Sequence, residues 1–135
     1  MRHLILTLAL SLSALPAAAQ NWALGGFDPV SYASDGRAVP GRSDISTMWQ
    51  GQLWHFVSEE NRARFEADPR AFQPAFEGSC VVSLAEGRRE PGDPRYFARV
   101  GGTLYLTRSG QAQQELAQDP RGIIDRATTN WARLK

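Results

Sequence analysis

"STMWQGQLWHFVS", residues 46–58, alternates apolar and polar side chains on both sides of Gly51-Gln52. A glycine that leads a two-residue loop is typical of a type II′ turn, so this stretch predicts a β-hairpin. With that loop, Met48 lies directly opposite His55, and the two side chains share one face of the hairpin. A one-residue change of register would undo this pairing.

A second stretch has the same pattern and predicts a second hairpin. "RYFARVGGTLYLT", residues 95–107, alternates around Gly101-Gly102. Residues 80–84 are interpreted as a short extra strand, because Cys80 and Leu84 would then lie on one face. We find no internal repeat in the sequence.

Helices are predicted from cap residues and apolar spacing. Ser58 is followed by two acidic residues and starts a helix that runs to about Ala67. A second helix covers residues 111–118 and starts at Ser109 or Gly110. A terminal helix follows Asp119, where apolar residues recur at helical spacing, namely Ile123, Ile124, Ala127, Trp131 and Leu134.

Four of the seven aspartates directly precede a proline, and these pairs are Asp28-Pro29, Asp68-Pro69, Asp93-Pro94 and Asp119-Pro120. An aspartate can accept from free amides at a helix start, and a proline at the next position has no N–H to leave unpaired. Each pair therefore predicts the start of a helix or helical turn. A type I turn uses the same two residues and is the alternative, above all for Asp93-Pro94.

These elements predict an α+β class. The chain should fold as a small single domain with two β-hairpins, a short extra strand and several helices. Strands and helices do not follow a regular βαβ alternation, which argues against a parallel α/β sheet.

Residues 1–19 have the layout of a secretory signal peptide. Arg2 is followed by an apolar run from Leu4 to Leu15 and by a small-residue site that ends at Ala19. The apolar run is too short to span a bilayer, although an uncleaved N-terminal anchor is the alternative. We therefore expect a signal peptide over 1–19, a domain over 20–135, and a periplasmic protein.

The charge balance argues against large anionic partners. The chain has 15 basic and 14 acidic residues, and loss of Arg2 with the signal makes these numbers equal. Binding of nucleic acid or of an anionic membrane needs an excess of positive charge on one face. We expect neither as a partner, and instead expect a metal ion or another small ligand.

The chain beyond residue 19 holds one cysteine, one histidine and one methionine, which are Cys80, His55 and Met48. A thiolate, an imidazole and a thioether that converge would suit copper, since soft sulfur ligands favour Cu(I). Such a site requires Cys80 to reach the face that Met48 and His55 share. The alternative is that Met48 and Cys80 are core residues and His55 is a surface or hydrogen-bonded strand residue.

Cys80 is also the candidate for thiol-redox chemistry. Reactivity requires exposure and a nearby positive charge or helix start. The adjacent residues, Ser79 and Val81, carry no charge. The sequence contains no GxSxG elbow, no GxGxxG loop and no phosphate-binding GxxxxGK[ST] loop. A non-catalytic protein is therefore favoured over an enzyme.

Two segments resemble the YHS domain family. These are "FDPVSYASDGRAVPG" at 27–41 and "WHFVSEENRARFEADPRAF" at 54–72, and "FEGSCVVSL" from residue 76 resembles the longer exported members. The resemblance implies metal binding, with copper as the metal, through cysteines. Ser31, Val57 and Asn61 stand where those cysteines are implied, whereas His55 and Ser58 match.

Together these observations predict an exported YHS-type domain with a C-terminal helical extension. The predicted function is non-catalytic metal handling, with copper bound by Cys80, His55 and Met48, or binding of another small ligand. A thiol-redox protein that uses Cys80 is one alternative. A structural or interaction domain with Cys80 in its core is the other.

Overall fold

The computed structural model describes residues 21–135, so the predicted signal peptide lies outside the described residues. Residues 21–135 form five α-helices and two two-stranded antiparallel sheets. The elements are α1 (Ser31–Ser34), β1 (Arg42–Trp49), β2 (Gln52–Phe56), α2 (Glu59–Ala67), α3 (Val81–Ala85), β3 (Asp93–Val100), β4 (Thr103–Thr107), α4 (Gly110–Gln118) and α5 (Pro120–Leu134). The predicted α+β class is confirmed.

The cap residues place three of the helices where the sequence predicts them. Ser58 accepts from the amide of Asn61 at the start of α2, and Ser109 accepts from the amide of Ala112 at the start of α4. Asp119 accepts from the amide of Gly122 at 3.0 Å and starts α5. None of the helices within residues 21–135 is long and apolar enough to cross a membrane.

The first hairpin forms, but its predicted register is wrong. Its loop is Gln50-Gly51, and Met48 pairs with Leu53 while His55 pairs with Ser46. Gln50 and Gly51 both have positive φ, at 49° and 73°. Positive φ at both central positions is the pattern of a type I′ turn, which displaces the predicted II′ loop by one residue.

Two further local predictions are wrong. Residues 81–85 form helix α3 instead of a strand, and the Cys80 sulfur accepts from the Ser83 amide at its start. Asp93-Pro94 begins strand β3 instead of a helical turn, and Asp93 accepts from the Arg95 amide at 2.9 Å. Five residues, four of them apolar, carry too little periodicity to separate a buried helix from a strand.

The chain contains two structural repeats, so the expectation of no internal repeat is wrong. Residues 22–70, the first repeat, and residues 74–121, the second repeat, share one order of elements. Each has a 3₁₀ turn, a short helix, a hairpin and a longer helix. The 3₁₀ turns are Ala23–Gly26 and Ala75–Gly78, and the two middle residues of each have left-handed φ.

The hairpins of the two repeats agree in register at an offset of 51 residues. Trp49 pairs with Gln52 in the first and Val100 with Thr103 in the second, and each ladder has a register shift at the same place. The amide of Gly41 donates to the Gly26 carbonyl, and that of Gly92 donates to the Gly78 carbonyl. The second hairpin is therefore built and anchored like the first.

Gly41 and Gly92 are equivalent and are required at these positions. A Cβ at Gly41 would collide with the backbone of His55, and one at Gly92 would collide with the Leu106 side chain. Since His55 and Leu106 are also equivalent, both repeats press a glycine backbone against the same position of the second strand. Each contact lets the loop before the hairpin lie directly on β2 or β4.

The two repeats share one hydrophobic core and differ in a second. Leu104 and Leu106 of the second repeat join a cluster with Val30, Phe56 and Phe65 of the first. A separate cluster joins α3, α4 and α5, with members Cys80, Val81, Val82, Leu84, Ala112, Leu116, Ile123 and Ala127. Helix α5 packs on α3 of the second repeat. In the first repeat, no described helix packs on α1 in the same way.

Tyr32 ties the first repeat to the second. Its hydroxyl donates to the Pro94 carbonyl at 2.8 Å, and its ring packs edge-on against Phe97 with ring centroids 4.8 Å apart. Burial, followed by the charges of Asp93 and Asp28, raises the pKa of the Tyr32 hydroxyl. Because the hydroxyl is the donor in this contact, the contact needs the protonated form.

Loss of the Tyr32 hydroxyl should weaken the whole fold. Tyr32→Phe should lower the free energy of unfolding by about 1 kcal/mol, because the Pro94 carbonyl is left without its donor. Tyr105→Phe is the control, since the Tyr105 hydroxyl has no hydrogen bond to any residue of the described range. Urea denaturation measures both, and equal losses would contradict the prediction.

The same contact predicts a loss of stability in alkali. Because folding raises the pKa of Tyr32, the stabilisation is complete below the unfolded value of about 10 and falls as the pH rises above it. Urea denaturation between pH 9 and pH 11 should therefore show a steeper loss in the wild type than in Tyr32→Phe.

Candidate ligand-binding cleft

The three predicted metal ligands lie in different surroundings. The Met48 residue is 66% exposed, whereas His55 is 2% and Cys80 is 0% exposed. Cys80 belongs to the core around α3, α4 and α5, while His55 lies on strand β2 in the first repeat. Met48 and His55 are on one face of the hairpin but are diagonal neighbours instead of opposite ones.

His55 is buried beside an aromatic ring. Its imidazole packs against the Trp22 indole, with ring centroids 4.8 Å apart. The Nε2 atom is buried and has no hydrogen-bond partner among residues 21–135. An imidazole packed between the Trp22 ring and Gly26 is consistent with a core residue.

Cys80 is enclosed by N–H donors. The sulfur accepts from the Arg108 amide at 3.2 Å, from the Ser83 amide at 3.5 Å and from the Arg108 guanidinium at 3.8 Å. Arg108 also donates to the Ser83 hydroxyl, and that hydroxyl donates to the Glu90 carboxylate. The hydrogen bond from Ser83 is the largest cause that lowers the pKa of Glu90. The positive charge that the local sequence does not supply thus comes from Arg108, 28 residues away.

Cys80 stands where the first repeat has Asp28. The Asp28 carboxylate accepts from the Val30 amide at 2.7 Å, the Val57 amide at 2.9 Å and the Asn61 side chain at 2.8 Å. Val57 and Arg108 are equivalent, so both acceptors bind the amide that follows the second strand of their hairpin. Cys80 therefore fills the position of a buried hydrogen-bond acceptor, and this role accounts for a sulfur acceptor there.

The positions of Met48, His55 and Cys80 give a shared copper site no support. Within residues 21–135, no group of three or more His, Cys, Asp and Glu side chains could hold a metal ion. The Cys80 sulfur and the His55 ring are each enclosed by protein, while Met48 is exposed to solvent. Copper binding by these residues stays a prediction.

A cleft of about 690 Å³ lies where the two repeats meet. Its floor is apolar and buried, and its half-buried walls include the rings of Phe76 and Trp131. The lining comes from the 3₁₀ turns, both hairpins, the segment after α2, and α5, with residues Ala23, Leu24, Gly25, Gln50, Gln52, Trp54, Arg70, Gln73, Pro74, Ala75, Phe76, Glu77, Gly78, Gly92, Pro94, Thr103, Leu106, Trp131 and Lys135.

Left-handed backbone is concentrated at this cleft. All four non-glycine residues with positive φ in the described range line it, namely Leu24, Gln50, Phe76 and Glu77. Such conformations cost about 1–3 kcal/mol each outside glycine and occur preferentially at binding sites. Three of the four belong to the equivalent 3₁₀ turns, so the strain is built into the repeated unit.

Charged groups stand only at the exposed rim. Arg70 and Lys135 are the cations, and Glu77 is the one acidic side chain among the described lining residues. Glu77 is paired with Arg89 at 3.0 Å, and Arg89 lies over the Trp131 ring at 4.9 Å. Arg70 forms no ion pair with any residue of the described part of the chain.

The fold and the cleft define a small α+β protein made of two unequal repeats. No family model, no curated protein and no solved structure matches the chain. The resemblance to the YHS domain therefore stays a prediction, and function has to be argued from the cleft itself.

Sequence reasoning missed the cleft but had a signal for the repeats that form it. "GRAVPG" at 36–41 and "GRREPG" at 87–92 share four of six residues and precede the two hairpins. The matching Asp-Pro-Arg triplets at 68–70 and 119–121 stand at the same offset. A comparison of these segments identifies the repeat and, with it, Cys80 as the counterpart of Asp28.

Because Cys80 and Asp28 are equivalent, we expect position 80 to tolerate an aspartate although it is buried. Cys80→Asp should lower the free energy of unfolding by less than about 1.5 kcal/mol, because three donors already surround the site and charged hydrogen bonds are strong. Val82→Asp, at a neighbouring buried position without such donors, should cost about 3–5 kcal/mol. Equal losses in urea denaturation would show that position 80 is an ordinary core site.

Burial of Cys80 predicts slow reaction with thiol reagents. The native protein should react with a maleimide at least about 100-fold more slowly than the urea-unfolded protein, because labelling must wait for local opening. Mass spectrometry of quenched samples follows the reaction. A native rate close to the unfolded one would instead favour the thiol-redox alternative.

Proposed function

We propose that this protein is a non-catalytic binding module that holds a small organic molecule in the cleft between its two repeats. The observation that carries the proposal is the cleft itself. Its volume of about 690 Å³ lies within the range of about 300–1,000 Å³ that is usual for small-molecule sites.

The floor of the cleft supports binding of an apolar group. Leu24, Trp54 and Leu106 line it from both repeats and are almost fully buried. Gln52 and Gln73 are half-buried at its side and add amide groups that can orient a ligand. A buried apolar floor with polar groups around it provides both the apolar contact and the orienting hydrogen bonds that ligand sites use.

The lining favours binding over catalysis. Among the described residues that line the cleft there is no histidine, cysteine, serine or aspartate, and its one carboxylate, Glu77, is engaged by Arg89. Thr103 and Lys135, the remaining lining residues of types that act as nucleophiles or bases, are both exposed at the rim, with no described general base paired to them. Export to the periplasm, predicted from residues 1–19, is part of the proposal.

Metal handling is the alternative that the sequence favours. Copper bound by Cys80, His55 and Met48 would make the protein a metal carrier, but no contact among the described residues favours it over the cleft. Thiol-redox chemistry is likewise less favoured, since the Cys80 sulfur is buried and bonded within the protein.

A neutral fluorescent probe tests the proposed function. N-phenyl-1-naphthylamine should bind the wild-type protein with a micromolar dissociation constant and increased emission, because the cleft removes an apolar ring from water. Thr103→Trp, which places an indole at the cleft rim, should weaken this binding at least about tenfold.

The matched control is Ser43→Trp, an exposed strand position that does not line the cleft. It should leave probe binding unchanged, and circular dichroism should show that both variants are folded. The proposal fails if the wild type does not bind the probe or if both tryptophan variants bind it as the wild type does.

A further inference from the structure

We infer that the cleft takes an aromatic carboxylate, with its ring against Phe76 and Trp131 and its carboxylate on Arg70. This inference rests on the proposed function and narrows the chemistry of the ligand. It follows from the shape of the aromatic wall and from the one unpaired guanidinium at the rim.

The aromatic wall favours a planar ligand. Phe76 and Trp131 contact each other edge-on, with ring centroids 5.7 Å apart, and both are half-buried. Arg89 lies over the Trp131 ring at 4.9 Å and is paired with Glu77, so the indole has contacts on its ring face as well as with Phe76. Fixed aromatic faces bind another ring by offset or edge-on packing at little entropic cost.

The rim favours a negative charge on that ligand. The Glu77 carboxylate is paired with Arg89, whereas Arg70 lines the cleft without an ion pair in the described part of the chain. A guanidinium binds a carboxylate through two parallel hydrogen bonds, which gives direction as well as affinity. A cationic ligand would find no free acidic side chain among the described lining residues.

Arg121 is the counterpart of Arg70 in the second repeat and provides a matched control. Arg70 and Arg121 both follow an Asp-Pro pair at equivalent positions, and both are exposed. Arg70 lines the cleft, whereas Arg121 lies in the first turn of α5 and does not line it. Arg121→Gln therefore removes the same charge from the same local sequence away from the site.

The experiment compares two probes of equal ring size, 2-naphthoate and 2-naphthamide, by displacement of N-phenyl-1-naphthylamine. In the wild type, the carboxylate should bind about tenfold more tightly than the amide, as expected for one charge-assisted contact at an exposed rim. Arg70→Gln should abolish that preference and leave amide binding unchanged. Arg121→Gln should leave both affinities unchanged.

The outcomes separate this inference from the proposed function. Equal affinity of the two probes in the wild type would overturn the inferred preference for a carboxylate ligand. The proposed binding of a small molecule in the cleft would still stand. A preference that survives Arg70→Gln, or that Arg121→Gln also removes, overturns the assignment to Arg70. If the fluorescent probe itself does not bind, the proposed function fails and the inference fails with it.

Discussion

A buried acceptor near the start of each repeat holds the rest of the repeat in place. In the first repeat, the Asp28 carboxylate joins the amide of Val30, directly before α1, the amide after β2 and the side chain of Asn61 in α2. In the second, the Cys80 sulfur makes the corresponding contacts with α3 and with Arg108 after β4. Because each acceptor joins the short helix to the end of the hairpin, it fixes the angle between them and thus the place of the 3₁₀ turn that lines the cleft.

The cleft is a consequence of how the two repeats join. The first repeat has no helix equivalent to α5 over its core, and Leu104 and Leu106 of the second repeat fill that core instead. Tyr32 closes the junction through the Pro94 carbonyl. The equivalent 3₁₀ turns then face one shared space, and α5 adds Trp131 to its wall.

Local signals predicted the three capped helices and the existence of both hairpins, and non-local contacts decided α3 and the register of the first hairpin. Ser58, Ser109 and Asp119 cap their helices through side chains three residues from the amides they bind, so sequence alone is sufficient there. The position of the first hairpin loop depends on whether Gln50 adopts a positive φ. The preference of glycine for the first loop position does not reveal this conformation.

Residues 80–84 depend even more on distant groups. The sulfur of Cys80 receives its shortest hydrogen bond from the Arg108 amide, 28 residues along the chain, and the sequence of the segment itself does not reveal this contact. The repeat was missed because equivalent core positions hold different side chains, such as His55 and Leu106 or Phe65 and Leu116. The cleft could not be predicted, since its walls come from segments that only the packing of both repeats brings together.

The shared core also has a consequence for how the chain folds. Because Leu104 and Leu106 complete the packing around Phe56 and Phe65, we expect the N-terminal half to finish folding only once β4 is in place. Although the architecture looks modular, we expect the first half to be unstable as an isolated fragment, because it lacks a complete core of its own.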